Sequence, residues 1–234
     1  YPGDPGLPGG DFAGVVMDVG DGGTHGLCDG DEVYGFGAGV LGSYALTDGR
    51  LAAVKPPSWT FDQACAMPTT WVTVCTGFEE HTRLLAGHRL LVHAATGGVG
   101  LVAVQYARAI GVSVFATAGR PAKQEYLRDV MGVPPDHISS TRDCVRFAQD
   151  MWQVLAAPHG GDGGGNRIDE QAFRLDAVLN SLSHDDYIPQ SVGMLKRAGC
   201  FLKIGKRGIG DKDRMVEARP DVRYEIMAID SRMA

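Results

Sequence analysis

No stretch of this sequence is apolar for long enough to cross a bilayer. The opening residues are rich in Pro and Gly and carry no signal-peptide pattern. No two of the five cysteines, Cys28, Cys65, Cys75, Cys144 and Cys200, stand at C-x-x-C spacing. Such an odd, scattered set reads as reduced thiols and predicts a cytoplasmic location. Positive charge is in deficit, with a formal net charge of -6, which argues against nucleic acid as the main partner. His25 and Cys28 lack a third and fourth ligand at metal-site spacing, so they read as a polar loop. Low complexity is also missing: the 33 glycines punctuate strands and turns. With 234 residues, 44% of them hydrophobic, the chain can build a sizeable core in one or two domains.

What is present is organised around residues 89–123. Arg89 to Ala95 reads as a buried strand, and Thr96-Gly97-Gly98-Val99-Gly100 as a tight turn. Apolar residues then recur with helical spacing at Val99, Val102, Ala103, Tyr106, Ala107 and Ile110. Gly111 ends that helix, and Val112 to Thr117 is the next strand. A strand, glycine turn, helix and strand form the context of a dinucleotide fingerprint. Gly97 and Gly98 leave room for a pyrophosphate, and Gly100 lets the helix approach the strand. Freed N–H groups and the positive helix end then face the anion. Ala95 stands where the usual G-x-G-x-x-G has its first glycine, so a plain turn remains the alternative.

An NAD site wants an acidic residue about 20 positions on, for the ribose 2′-hydroxyl. Here the second strand runs into Thr117-Ala118-Gly119-Arg120-Pro121-Ala122-Lys123. No carboxylate is there and two cations are, which favours a 2′-phosphate and hence NADPH. The competing reading makes Arg120 and Lys123 solvated surface charges.

In chain order, residues 1–66 read as β-structure. Strands are expected over 12–20, 31–36, 42–47 and 51–56, separated by turns, in a small barrel-like domain. Helical spacing begins at Phe61, with segments 61–66 and 69–81; the second carries Thr69, Thr70, Thr73 and Thr76, which usually only cap or back-bond. Beyond the nucleotide unit, helices are expected over 123–130 and 144–155, and a strand over 137–140. The stretch 156–171, with its Gly-rich run, reads as a surface insertion. A strand at 175–180 leads to a helix from Ser183 to about Arg197, with acids in its first turn and Lys196 and Arg197 in its last. Gly199 stops it before a strand at 200–205. Strands alternating with helices predict an α/β fold with a doubly wound parallel sheet, whose ligands sit past the carboxyl ends of its strands. Ala95 to Gly100, Asn180 to Leu182 and Gly205-Lys206 meet at that rim.

The β-rich start, Ala94 to Gly100, Val178-Leu179-Asn180-Ser181-Leu182 and Ile204-Gly205-Lys206 resemble the medium-chain dehydrogenase/reductase superfamily. More closely, they resemble the enoyl reductase domains of polyketide synthases and of animal fatty acid synthase. Tyr1-Pro2-Gly3-Asp4 and Ile138-Ser139-Ser140-Thr141-Arg142 look like that subfamily too. The resemblance implies a Rossmann-type NADPH-binding domain over 67–207. It also implies a partial GroES-like substrate domain over 1–66, with 208–234 starting the return to it. Dozens of residues, including a substrate-side tyrosine of many bacterial relatives, would precede residue 1, and dozens would follow residue 234. Where zinc-dependent relatives carry Gly-His-Glu, this chain has Gly9-Gly10-Asp11, and it has no four-cysteine lobe; the resemblance thus implies the zinc-free branch.

Roles implied by the resemblance are these. Gly97, Gly98, Val99 and Gly100 hold the pyrophosphate; Lys123 and Arg142 clasp the 2′-phosphate. Thr73 lies near the nicotinamide and phosphates, Thr117 belongs to the cofactor site, and Asn180, Ser181 and Gly205 line the nicotinamide side. Lys206 matches a lysine proposed to donate a proton or stabilise an enolate, and Asp230 its acidic partner. A cation beside the nicotinamide would stabilise charge developing on a thioester oxygen, and a carboxylate could orient it or relay a proton. The charges around Lys206 also fit a merely solvated loop. The implied activity is NADPH-dependent reduction of an enoyl thioester on an acyl carrier protein. Neighbouring synthase domains are implied partners, as is a homodimer through the parent synthase. A free-standing quinone oxidoreductase and an inactive scaffold domain are the alternatives.

Overall fold

The computed structural model describes residues 7–20, 25–156, 173–182, 187–204 and 212–227. The chain divides into two compact units, Tyr1–Val72 and Thr73–Ala234.

In the first unit, β1 (Asp11–Val15), β2 (Glu32–Phe36) and β3 (Ala52–Val54) form an antiparallel sheet in the order β1-β2-β3. Gly35 makes the second pairing possible: a Cβ there would lie 2.1 Å from Leu51 O and 2.9 Å from Ala52 Cα. Helix α1 (Phe61–Cys65) starts at a reciprocal cap. The Gln63 N–H donates to Thr60 Oγ1 at 3.2 Å, and the Thr60 N–H to Gln63 Oε1 at 3.0 Å. Helix α2 (Pro68–Cys75) starts on Asp11, whose carboxylate accepts the Thr69 hydroxyl at 2.5 Å and the Thr69 N–H at 3.2 Å. This cap reaches across 58 residues of sequence and ties β1 to α2. Asp11→Ala should therefore lower stability by about 1–2 kcal/mol, and Asp11→Asn by less. Urea unfolding reads the difference, and an unshifted midpoint for Asp11→Ala would remove the cap from the stability argument.

The second unit is a six-stranded parallel sheet. Its strands are β4 (Arg89–Val92), β5 (Ser113–Thr117), β6 (Ile138–Ser139), β7 (Leu175–Asn180), β8 (Leu195–Ile204) and β9 (Arg223–Met227), in the order β6-β5-β4-β7-β8-β9. The α/β, doubly wound parallel sheet expected from the alternating periods is thus present, and with it the Rossmann-type fold that the resemblance implies; a separate antiparallel sheet forms in the first unit. Leu90, Leu91 and Val92 have no exposed surface, as a strand covered on both faces requires. Helix α3 (Gly98–Ala109) connects β4 to β5 and buries Val102, Ala103, Val104 and Ala107. Helix α4 (Pro121–Asp129) starts with proline in its first turn. Phe147, Met151 and Leu155 of α5 (Cys144–Ala156) enter the core with Leu91, Phe115, Val178 and Phe201. Helices α6 (Tyr187–Gly193) and α7 (Lys212–Ala218) complete the described elements.

The structure departs from expectation in four places. Residues 42–47 form no strand; Tyr44 and Leu46 stand 79% and 94% exposed, and propensity without a pairing partner does not make a strand. The helix expected over 69–81 is α-helical only to Cys75, and then runs as a π-helix over Thr76–Thr82. Helix α6 ends at Gly193, so Lys196 and Arg197 lie in β8 rather than in a last helical turn. Leu195 there pairs with Leu175 of β7, the chain bulges through Ala198 (φ 59°), and pairing resumes at Ala177 with Cys200. Lys196 instead joins Asp176, which also accepts the Arg89 N–H at 2.7 Å at the amino edge of the sheet. Helical spacing of Ile188, Val192 and Leu195 misleads here because β7 offers the last of them a partner. Finally, β9 adds a sixth strand from the stretch read as a return segment. The expected Gly-rich insertion beyond Ala156 and the expected cap at Ser183 lie outside the described residues.

Candidate active site

The strand order reverses between β4 and β7, where the chain leaves β4 for β5 on one side and later returns as β7 on the other. That is where open parallel sheets bind ligands. The β4 exit is a turn held from the neighbouring strand. The Ala95 N–H donates to Thr117 O at 2.9 Å, and the Ala94 N–H to Thr117 Oγ1 at 3.1 Å. Ala94 sits at φ 49°, which costs a residue with a Cβ about 1–2 kcal/mol. Its carbonyl then accepts the Gly97 N–H at 2.9 Å.

Helix α3 begins against this turn. A Cβ on Gly100 would lie 2.6 Å from Ala94 O and 2.7 Å from Ala95 Cα, so the close approach needs glycine. A Cβ on Gly97 would meet only Ala94 O, at 3.3 Å. Gly97 and Gly98 are exposed and Val99 is half-buried. Among the described residues no side chain caps α3, and no acid stands in its first turn. Its first i→i−4 bond runs from the Leu101 N–H to Gly97 O. Among the described residues, the N–H groups of Gly98, Val99 and Gly100 have no acceptor, which leaves them for an outside one. This uncapped end, with its glycine-lined approach, fits a dinucleotide pyrophosphate.

Past β5, the exposed Arg142 donates from Nε to Gly119 O at 3.0 Å, and its N–H is held by Ser140 Oγ at 3.1 Å. A Cβ on Gly119 would lie 2.7 Å from Thr141 Oγ1 and 3.3 Å from Arg142 Nε. The guanidinium thus lies against the β5 exit, where an NAD site would hold its acid. Lys123 is exposed in the first turn of α4, after Arg120 at the N-cap. Among the described residues none of these three cations is in an ion pair, whereas Arg128, Arg146, Lys196 and Arg219 each hold a carboxylate.

At the β7 exit, Ser181 donates its hydroxyl to His93 O at 3.1 Å, and Asn180 Oδ1 accepts the Leu182 N–H at 2.7 Å. Asn180 is fully buried, and its Nδ2 finds no acceptor among the described residues. A buried amide donor left open at the carboxyl edge fits an acceptor brought by a ligand. Thr73 is 3% exposed within α2. Thr117 is fully buried and its hydroxyl serves the turn. Gly205, Lys206 and Asp230 lie outside the described residues.

Two buried groups had no role in the sequence reading. His93 has 1% of its surface exposed, between the rings of Phe147 and Tyr187, and burial with the nearby Lys203 charge pushes its pKa down to about 3. Lys203 is 1% exposed and donates to Leu182 O at 2.5 Å. The available signal was a polar residue at the carboxyl end of each of two mostly apolar runs: His93 just after β4 and Lys203 one residue before the end of β8.

Asp11 stands in the stretch matched to the zinc motif of relatives, yet both its oxygens are occupied by Thr69. Among the described residues no three His, Cys, Asp or Glu side chains are grouped to hold an ion. A groove of about 1070 Å³ opens in the first unit, lined among others by Phe12, Val33, Tyr44 and Leu46; none of the expected cofactor residues borders it.

Residues 98–225 match the family model described as zinc-binding dehydrogenase. The spectinabilin polyketide synthase system protein NorB of Streptomyces orinoci is 40% identical over 92% of this chain and 9% of its own length. A phenolphthiocerol synthesis polyketide synthase of Mycobacterium marinum is 37% identical over 96% of this chain and 10% of its own. The chain thus spans about a tenth of the curated relatives it matches. Among solved structures, the CurK enoyl reductase superposes with a TM-score of 0.83 at 34% identity, over 96% of this chain and 61% of that one. The CurF ER cyclopropanase gives a TM-score of 0.81 at 28% identity, over 96% and 61%. With a sheet order, glycine turn and relatives that agree, the chain belongs to the zinc-binding dehydrogenase family, within the medium-chain dehydrogenase/reductase superfamily, as a domain of the polyketide-synthase enoyl reductase type.

Proposed function

We propose that this domain reduces the α,β double bond of an enoyl thioester, delivered on an acyl carrier protein, with NADPH as reductant. The observation that carries the cofactor choice is the β5 exit. There, Arg120, Lys123 and Arg142, which hold no carboxylate among the described residues, occupy the region of the missing acid, near the start of α3, which no described side chain caps. In this reading Gly97, Gly98, Val99 and Gly100 hold the pyrophosphate, and Lys123 and Arg142 hold the 2′-phosphate. Asn180, Ser181, Gly205 and Thr73 border the nicotinamide; Thr117 acts from beneath, through the turn.

NADPH, when bound, supplies the hydride for the β-carbon. The protein's part is to keep water from that position and to meet the charge that grows on the thioester oxygen. Lys206 is proposed for that contact and for proton delivery to the α-carbon, with Asp230 orienting its ammonium. Residues 1–66 are proposed as part of the substrate domain, 67–207 as the nucleotide domain, and 208–234 as the start of the return. Adjoining synthase domains would supply the carrier and a homodimeric setting.

The test is stopped-flow oxidation of NADPH by an enoyl-thioester mimic in the full-length protein. Turnover supports the reading; bound cofactor without turnover would favour the scaffold alternative. Lys123→Ala and Arg142→Ala should each weaken NADPH binding by roughly tenfold and leave NADH binding near its original value. Equal losses for both nucleotides would remove the 2′-phosphate assignment. One structural neighbour is a cyclopropanase, so product analysis should accompany the rates. A cyclised product from a substrate with a leaving group at the γ-carbon would redirect the proposal.

A further inference from the structure

Between the β4 turn and α6 runs a line of buried hydrogen bonds whose direction can be assigned. Ser191 Oγ lies 2.7 Å from Tyr187 O, a carbonyl that can only accept, so the serine hydrogen points there. The same Oγ lies 2.8 Å from His93 Nε2, and must accept from it. The opposite tautomer would set two acceptors 2.7 Å apart with no hydrogen between them. Nδ1 of His93 is therefore bare, and Thr117 Oγ1, 3.2 Å away, donates to it. With its hydrogen committed, Thr117 Oγ1 turns a lone pair to the Ala94 N–H at 3.1 Å. The chain reads Ala94 N–H to Thr117, Thr117 to His93, His93 to Ser191, and Ser191 to Tyr187 O.

We propose that His93 is a positioning residue for the dinucleotide turn: as the Nε2–H tautomer it orients the Thr117 hydroxyl, which holds Ala94 left-handed and so sets the α3 start. The inference rests on the reading that this turn binds the dinucleotide. Three features support it. Among the described residues, Ala94 is one of four with a side chain found at positive φ, and its N–H has the Thr117 hydroxyl as partner. The Ala94 carbonyl in turn places Gly97 and is what Gly100 packs on. All of His93, Thr117 and Ser191 are buried from water, so no solvent molecule can replace a missing partner cheaply. The His93 carbonyl also receives Ser181, linking the same residue to the β7 exit.

The test uses the full-length protein with NADPH as probe. His93→Leu and Thr117→Val each delete one link. Both should raise the NADPH Kd by about tenfold or more. His93→Asn places an oxygen near the Nδ1 position, and Thr117→Ser keeps the hydroxyl; each should recover most of the affinity. Equal losses in His93→Asn and His93→Leu, or a His93→Leu Kd within about twofold of the parent, would overturn the proposal. Should His93→Leu fail to fold, the Thr117→Val and Thr117→Ser pair carries the same comparison. Two readouts need no cofactor. The 15N shifts of His93 should report Nε2–H, and an Nδ1–H tautomer would refute the chain as drawn. The Ala94 amide should exchange slowly in the parent and faster in Thr117→Val. If those two hold while the parent binds no nucleotide, the dinucleotide reading falls and the turn geometry stands.

Discussion

Gly100→Ala should destabilise the protein by about 2–4 kcal/mol and cut dinucleotide binding by more than about tenfold. The added carbon would sit 2.6, 2.7 and 2.8 Å from Ala94 O, Ala95 Cα and Ala95 C. These are backbone atoms pinned by Thr117, which takes both the Ala94 and the Ala95 N–H. No rotamer change relieves the contact, so either α3 moves away from β4 or the turn opens. Either movement displaces the N–H groups of Gly98, Val99 and Gly100. Gly97→Ala is the control, because its Cβ would meet a single atom at 3.3 Å with ordinary φ of -78°. That variant should fold like the parent. Thermal melting and nucleotide titration of both variants decide the matter. A Gly100→Ala protein with unchanged melting would mean that α3 does not start where the structure puts it.

Stability should fall by about 2 kcal/mol between about pH 7 and pH 5, through His93. Its ordinary value of 6.5 is pushed down to about 3 by burial, with the Lys203 charge adding to it. Below 6.5 the unfolded chain takes up the proton while the folded protein stays neutral. The unfolded state then binds more protons, so stability drops as pH falls from about 6.5 to about 3, and no further loss arises below that. At neutral pH the contribution is fully present. Carboxyls held low by neighbouring arginines, Asp48, Asp129 and Asp221, begin to matter only near and below 3.8. Among the described residues, the interval from 6 to about 4.5 therefore reports on the histidine. Urea unfolding of the parent and of His93→Asn at several pH values reads it. A slope that persists in the variant would assign the acid sensitivity elsewhere.

The two results bear on one piece of architecture. Gly100 supplies the space, and His93 supplies the orientation of the hydroxyl that fills the other side of the turn. The glycine is legible from spacing alone, since it follows an apolar strand at the distance a dinucleotide fingerprint requires. The histidine is not, because a lone polar residue at the end of an apolar strand has many uses. Its partners are 24 and 98 residues away, and no local pattern announces them. The same limit explains α6 and β8. Ile188, Val192 and Leu195 carry a helical period, but Leu195 pairs with Leu175 across the sheet. The expected strand over 42–47 fails for the converse reason: among the described residues no neighbouring strand pairs with it.

The nucleotide unit's elements follow from local chemistry: two-residue and 3.6-residue periods and the Gly97-Gly98-x-Gly100 spacing, although α4 starts two residues before the expected Lys123. So does the absence of an acid after Thr117, which is a fact of composition at one position. Tertiary structure alone decided that Asp11 caps α2, that Arg142 returns to Gly119 O, and that Thr117 serves a turn rather than the solvent. Each is a bond between groups far apart in sequence, whose strength depends on burial and direction, and neither quantity exists until the sheet has formed.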